Sequence, residues 1–226
     1  MIKHLFSLVV ALASVPAFAA PMSATAYMRK PKLVLVLVID QFRSDMLTRH
    51  ASSFIPAGTS KAPGGFNFLM TNGAWFPFAE YGGIQDMTCP GHATILSGSH
   101  PGSTGIFLND WYDRKLGKTV YCAQDDKDGL SPRRLRTTTV GDELKAAHAK
   151  SRVYAVALKD RSSIMLGGHR AELALWVDEA SGRWTTSTYY KNSEGRPAWV
   201  KAANDELAKG AAPSRKEPTV EAGIRD

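Results

Sequence analysis

Residues 32–39 read KLVLVLVI, an almost unbroken apolar run that stops at Asp40. A run apolar on both faces and rich in β-branched side chains predicts a strand buried in the middle of a parallel sheet, not an alternating half-exposed edge. Residues 152–158, RVYAVAL, repeat that character and predict a second strand of the same kind. Working outward from these two runs, helices are predicted over 42–49, over 66–71 with Gly73 beyond, and over 89–97, where Pro90 sits in the first turn and Gly98 follows the end. A capping box between Thr139 and Asp142 opens another helix to about His148, and 162–166 and 197–207 read as two more. Residues 75–81 predict a strand. Two hairpins are expected, 107–113 with 118–123 around Lys115-Leu116-Gly117, and 173–177 with 184–188 around Ser181-Gly182. Strands alternating with helices predict an α/β fold, a largely parallel sheet with flanking helices. Residues 210–226 form a polar, irregular tail.

The chain has 226 residues, 44% hydrophobic and 22% charged, which excludes a disordered or fibrous protein. Two cysteines exclude a zinc-finger array and a disulfide-dense scaffold. The first twenty residues, MIKHLFSLVVALASVPAFAA, place Lys3 before an apolar core and Ala17-Phe18-Ala19 at a small-x-small cleavage position. This predicts a secretory signal peptide over 1–19, with 20–226 as the exported remainder, soluble and destined for a bacterial periplasm. The net charge of +7 loses Lys3 with the leader, and the remaining basic residues are scattered apart from Arg133, Arg134 and Arg136. With no basic face interleaved with aromatics, nucleic acid is not an expected partner; small anionic substrates are. No second apolar run is long enough to insert the mature chain in a membrane.

Ligands of open parallel sheets bind beyond the carboxyl ends of the strands. Asp40 lies there, either as a hard ligand for a cation or as the cap of the following helix. Thr88 stands at the start of a helix, where it either caps backbone N–H groups or faces a phosphate attracted by the helix end. A threonine hydroxyl attacks only after a base or a metal takes its proton. Lys159 and Arg161 alternate, so on a strand extension they share one side and suit a doubly charged phosphate; otherwise they are a solvated strand end. Asn109 either donates to a phosphoryl oxygen or shapes the turn before Asp110. Cys89 is a rival nucleophile at the helix start or the disulfide partner of Cys122. His92 reads as a structural hydrogen-bonding group, and His50, His100, His148 and His169 as ordinary surface or turn histidines.

Taken in order, Val38-Ile39-Asp40-Gln41-Phe42-Arg43, Thr88-Cys89-Pro90-Gly91-His92-Ala93-Thr94-Ile95, Gly105-Ile106 with Asn109-Asp110-Trp111, Ser131-Pro132-Arg133 leading into Thr139-Val140-Gly141-Asp142-Glu143-Leu144, and Leu158-Lys159-Asp160-Arg161-Ser162 resemble the alkaline phosphatase superfamily. The resemblance is greatest to its periplasmic, threonine-nucleophile, phosphate-irrepressible alkaline phosphatases, and next to nucleotide pyrophosphatase/phosphodiesterases. It runs from about residue 32 to 190. It implies two zinc ions, with Asp40 and Thr88 among the metal ligands, and Thr88 as a nucleophile phosphorylated in a two-step in-line displacement. It further implies that Asn109 contacts a phosphoryl oxygen and that Lys159 and Arg161 grip the phosphate, a pair typical of monoesterases. The resemblance also implies further aspartate and histidine zinc ligands in a C-terminal half, and no histidine follows His169 here. The expectation is therefore the N-terminal part of a zinc-dependent phosphate monoester hydrolase, inactive by itself. A phosphodiesterase of the same superfamily and a non-catalytic binder of phosphate ligands are the alternatives.

Overall fold

The computed structural model describes residues 31–59, 62–80, 82, 87–190 and 197–209. The signal peptide expected over 1–19, Tyr81 of the expected strand 75–81 and the tail expected over 210–226 lie outside the described residues. The chain divides into two compact units, Met1–Arg43 and Ser44–Asp226.

In the first unit, the run 32–39 is not the paired strand its composition predicts. It takes no regular secondary structure, and Leu33, Val34, Leu35, Val36 and Leu37 are between 50 and 84% exposed. Strand propensity describes fit to a half-buried pleated surface, and no neighbouring strand pairs with this run among the described residues. The run ends in a turn closed by the Phe42 N–H on the Ile39 carbonyl at 3.4 Å. Gln41 sits in that turn at φ 61°, a left-handed conformation that costs a non-glycine residue about 1 kcal/mol.

The second unit begins with α1 (Asp45–Arg49), shorter than expected and preceded by Ser44, so Asp40 does not cap it. After a short antiparallel pair, β1 (Gly58–Thr59) and β2 (Ala62–Pro63), comes α2 (Gly65–Asn72), stopped at Gly73 as predicted. Residues 75–80 form no strand; Phe76 and Phe78 are exposed. Then follow α3 (Thr88–Ser97), ended by Gly98 at φ 64°, and the single turn α4 (Pro101–Thr104). The first expected hairpin forms from β3 (Asp110–Asp113) and β4 (Lys118–Tyr121), with a small pair β5 (Gln124–Asp125) and β6 (Gly129–Leu130) beyond it. The capping box is present at α5 (Val140–Ala147).

β7 (Tyr154–Val156) leads into α6 (Asp160–Gly167), and β8 (Leu173–Asp178) returns parallel to β7, pairing Tyr154 with Leu173. β9 (Arg183–Thr185) then pairs antiparallel with β8. Among the described residues β7–β8 is the parallel pair, so the fold is mixed α/β with helices against a small sheet. β7 pairs on one side only among the described residues, and Tyr154, Val156 and Leu158, which alternate onto one face of it, stay exposed although the run predicts a strand buried on both faces. The final helix is α7 (Ala198–Ala208).

The core joins the faces of α3 and α6. Cys89 and Ala93 pack with Ile164 and Met165, and Ala174 and Trp176 of β8 complete the same cluster. Behind it, Asp142 of α5 is almost fully buried and accepts from the Thr139 N–H at 2.9 Å, the His169 ring at 3.2 Å and the Arg170 N–H at 2.7 Å. Gly168 passes so close that a Cβ there would lie 2.4 Å from Thr139 Oγ1, and its φ of 72° excludes most side chains independently. His169 is thus not the ordinary surface histidine its sequence context predicts.

Candidate functional site

Thr88 is the first residue of α3 and is buried, 8% exposed. Met87 takes the cap position with extended backbone, so the capping role open to Thr88 belongs to the residue before it. The next N–H, that of Cys89, donates to Asn109 Oδ1 at 2.9 Å. Pro90 has no N–H to give. With the Cys89 N–H taken and none at Pro90, this helix end has fewer backbone amides for a ligand, and an anion attracted to it would depend more on the dipole and on side chains.

Asn109 reaches that position from the loop before β3. Because its partner at Cys89 is an N–H donor, the amide orientation is fixed: Oδ1 faces the helix and the NH₂ is the end left to donate. The Asn109 carbonyl meanwhile accepts from the Cys122 N–H at 2.8 Å. Cys122 follows β4 and is disulfide-bonded to Cys89, their Cα atoms 6.6 Å apart, and both are fully buried. The pairing removes Cys89 as a rival nucleophile, since a disulfide sulfur is no thiolate. Asn109, Cys89 and Cys122 thus form a closed junction of one covalent bond and two hydrogen bonds beside Thr88. His92, one turn into α3, meets the Thr88 carbonyl through Nδ1 at 2.8 Å and is the structural group expected.

Lys159 and Arg161 do not lie on a strand extension. The strand stops at Val156, Lys159 occupies the cap position of α6, and Arg161 is the second residue of that helix. Side-chain alternation along a strand consequently does not apply to them; the helix turn sets their relation. Arg161 Nη1 donates to the Tyr121 hydroxyl at 3.3 Å, and that hydroxyl donates to Asp160 Oδ1 at 2.7 Å. Tyr121 directly precedes Cys122, so a short path of bonded and hydrogen-bonded groups joins Arg161 to the Thr88 end of α3. Tyr121 and Asp160 carry no sequence signal for this meeting, being 39 residues apart.

Asp40 belongs to the first unit, at the first corner of its closing turn. Among the described residues no three His, Cys, Asp or Glu side chains gather in an arrangement able to hold a metal ion. A zinc site uses three or four protein ligands, so these residues do not by themselves fit the two zincs implied by the resemblance.

Residues 34–220 match the model of the type I phosphodiesterase / nucleotide pyrophosphatase family. The chain belongs to that family. Within it, the chain is 38% identical over 188 residues to "Alkaline phosphatase PafA" of Elizabethkingia meningoseptica, covering 78% of this chain and 33% of that protein. It is 36% identical over 200 residues to a Myroides odoratus protein named "Calcium-transporting ATPase", covering 84% of this chain and 35% of the relative. Crystal structures of PafA match the fold with a TM-score of 0.68, over 75% of this chain and 33% of that one, for the wild type at 36% identity and for a variant at 34%. The variant carries substitutions at a threonine, an asparagine, a lysine and an arginine. The chain therefore spans about a third of the length of the relatives it matches.

Proposed function

We propose that this phosphodiesterase-family chain supplies the nucleophile and the phosphate grip of a phosphate monoester hydrolase. The observation that carries the reading is the junction that fastens Thr88, Asn109 and the Tyr121–Arg161 contact around one disulfide. The four residue types altered in the PafA variant add support, since they occur here in the same order and with the same spacing within each pair: Thr88 with Asn109, Lys159 with Arg161.

In this reading Thr88 Oγ1 gives up its proton and attacks the phosphorus, a P–O bond to threonine forms, and the ester P–O bond breaks as its oxygen departs with the electron pair and takes up a proton from solvent. Water then cleaves the phosphothreonine in line. The Asn109 NH₂ donates to an equatorial oxygen, and Lys159 and Arg161 offset the charge that gathers there. Zinc would supply acidification of the threonine hydroxyl and of water. The described residues do not assemble such a site, so Asp40 is assigned only as a single carboxylate donor and no step is drawn through a metal. The family description, which names diester cleavage, favours phosphodiesterase activity as the second reading. Residues 1–19 act as an export leader to the periplasm, a compartment in which the Cys89–Cys122 disulfide persists. No helix among the described residues is long and apolar enough to cross a membrane.

The test is turnover of p-nitrophenyl phosphate and of its bis-ester by zinc-supplemented protein, alongside calorimetric binding of inorganic phosphate. Monoester turnover that falls by about a thousandfold in Thr88→Ala supports the first reading. Dominant diester turnover selects the second. Absent turnover is the result expected of this chain by itself as an incomplete phosphatase; zinc-independent phosphate binding without turnover selects a non-catalytic binder, and turnover indifferent to Thr88→Ala removes the nucleophile assignment.

A further inference from the structure

Arg161 follows an acid in sequence, and that acid is close enough to neutralise it. Asp160 Oδ1 and Arg161 Nη1 form a long ion pair at 3.9 Å, beyond good hydrogen-bond length. The Tyr121 hydroxyl bonds to both groups: it donates to Asp160 Oδ1 at 2.7 Å and accepts from Arg161 Nη1 at 3.3 Å. The roles are fixed by chemistry. A carboxylate only accepts and a guanidinium only donates, so the single phenolic proton points to Asp160 and a lone pair faces Arg161. The same Oδ1 also accepts from the Arg161 backbone N–H at 2.6 Å, which ties the carboxylate to the first turn of α6.

We propose that Tyr121 is a positioning residue that keeps the Asp160–Arg161 ion pair long and so leaves more of the Arg161 charge to a phosphoryl group. The inference rests on the reading of Arg161 as a phosphate contact and adds to it the residue that sets its charge state and direction. Tyr121 suits the role because it is itself anchored. It ends β4 next to the Cys122 disulfide, and its N–H donates to Gln124 Oε1 at 3.3 Å. Burial, and then the hydrogen bond to Asp160, push the phenol well above the usual tyrosine range despite the opposing effect of Arg161. The donated proton is therefore retained throughout the pH range in which a phosphatase works.

Without the hydroxyl, Asp160 has one partner fewer, so its 3.9 Å ion pair with Arg161 is expected to shorten into a direct hydrogen-bonded one. The experiment measures binding of inorganic phosphate to the full chain by calorimetry, with thermal unfolding recorded on every variant. Tyr121→Phe is expected to bind phosphate about tenfold more weakly, on the scale of one lost charge-assisted hydrogen bond. Adding Asp160→Asn to Tyr121→Phe is expected to restore binding to within about twofold of the unaltered chain, because an amide has no charge to give Arg161. A merely structural role would not be rescued in this way. Asp160→Asn alone keeps an acceptor for the Arg161 N–H and is expected to bind at least as tightly as the unaltered chain; it remains informative if Tyr121→Phe does not fold. Unchanged binding in Tyr121→Phe, failure of the second substitution to rescue, or weakened binding in Asp160→Asn would each overturn the role of Tyr121 while leaving the phosphate reading intact. An unaltered chain that binds no phosphate, or binding indifferent to Arg161→Ala, would overturn that reading and the inference with it.

Discussion

Replacing Cys89 and Cys122 together by alanine is expected to lower the stability of the second unit by about 3–4 kcal/mol. The bridge closes a loop of sequence separation 33. Chain-entropy arguments for a loop of that length give about 3.7 kcal/mol, before any loss of packing at two fully buried positions. Urea unfolding of the double variant against the unaltered chain reads the difference directly. The functional consequence is more specific than the stability loss. Cys89 adjoins Thr88 and Cys122 adjoins Tyr121, so the bridge sets the register between the α3 end and the strand that holds Arg161 in place. Phosphate affinity is therefore expected to fall even under conditions where the variant remains folded. A double variant within about 1 kcal/mol of the parent would show that the core around Ala93, Ile164 and Met165 holds α3 without the bridge.

Asp142→Ala is expected to be at least as damaging, about 3–5 kcal/mol by denaturant unfolding, the range for breaking a buried ion pair by removing one partner. The carboxylate satisfies the Thr139 N–H, the Arg170 N–H and the His169 ring, and each loses its acceptor in the variant. His169 explains why the pair is ionic. Its Nδ1 faces Asp142 and its Nε2 lies 3.0 Å from the Leu135 carbonyl, two acceptors that only the doubly protonated ring can satisfy together. The hydrogen bond to Asp142, against the cost of burial, raises the His169 pKa above its ordinary value of 6.5. Burial pushes the Asp142 carboxyl up, but the hydrogen bonds from His169, Thr139 and Arg170 outweigh it and hold the group well below the ordinary 3.8.

The two shifts act at opposite ends of the pH scale. The contribution of His169 is fully present below pH 6.5 and is lost as pH rises through its raised folded value. That of Asp142 is present above pH 3.8 and is lost as pH falls toward its depressed folded value. Stability from this pair is therefore greatest between those two ordinary values and declines toward alkaline pH. In His169→Gln, whose amide cannot change charge, the alkaline decline is expected to flatten in a series of unfolding curves from pH 5 to 9. An identical slope in parent and variant would mean that His169 has the same pKa in the folded and unfolded chain.

The sequence by itself determined the local elements whose signals are local. The capping box at Thr139 and Asp142, the stops at Gly73 and Gly98, and the hairpins turning at Gly117 and Gly182 all stand where residue chemistry puts them. Each depends on hydrogen bonds or backbone angles a few residues apart, so the chain carries the whole instruction. The family was legible for a related reason, since each of the motifs that carry the resemblance is short and local. Tertiary structure decided the rest. Whether KLVLVLVI becomes a strand depends on a partner to pair with, and composition cannot supply one. The same limit made residues 152–158 look buried on both faces when the face carrying Tyr154, Val156 and Leu158 is exposed. Lys159 and Arg161 read as neighbours on a strand, but the chain turns into α6 before them, and their spacing no longer fixes a shared side. Tyr121 and His169 acquire their roles only when residues far away in sequence, Asp160 and Leu135, are folded against them. A side chain's charge and hydrogen-bonding capacity are written in its chemistry; which acceptor it meets is set by packing.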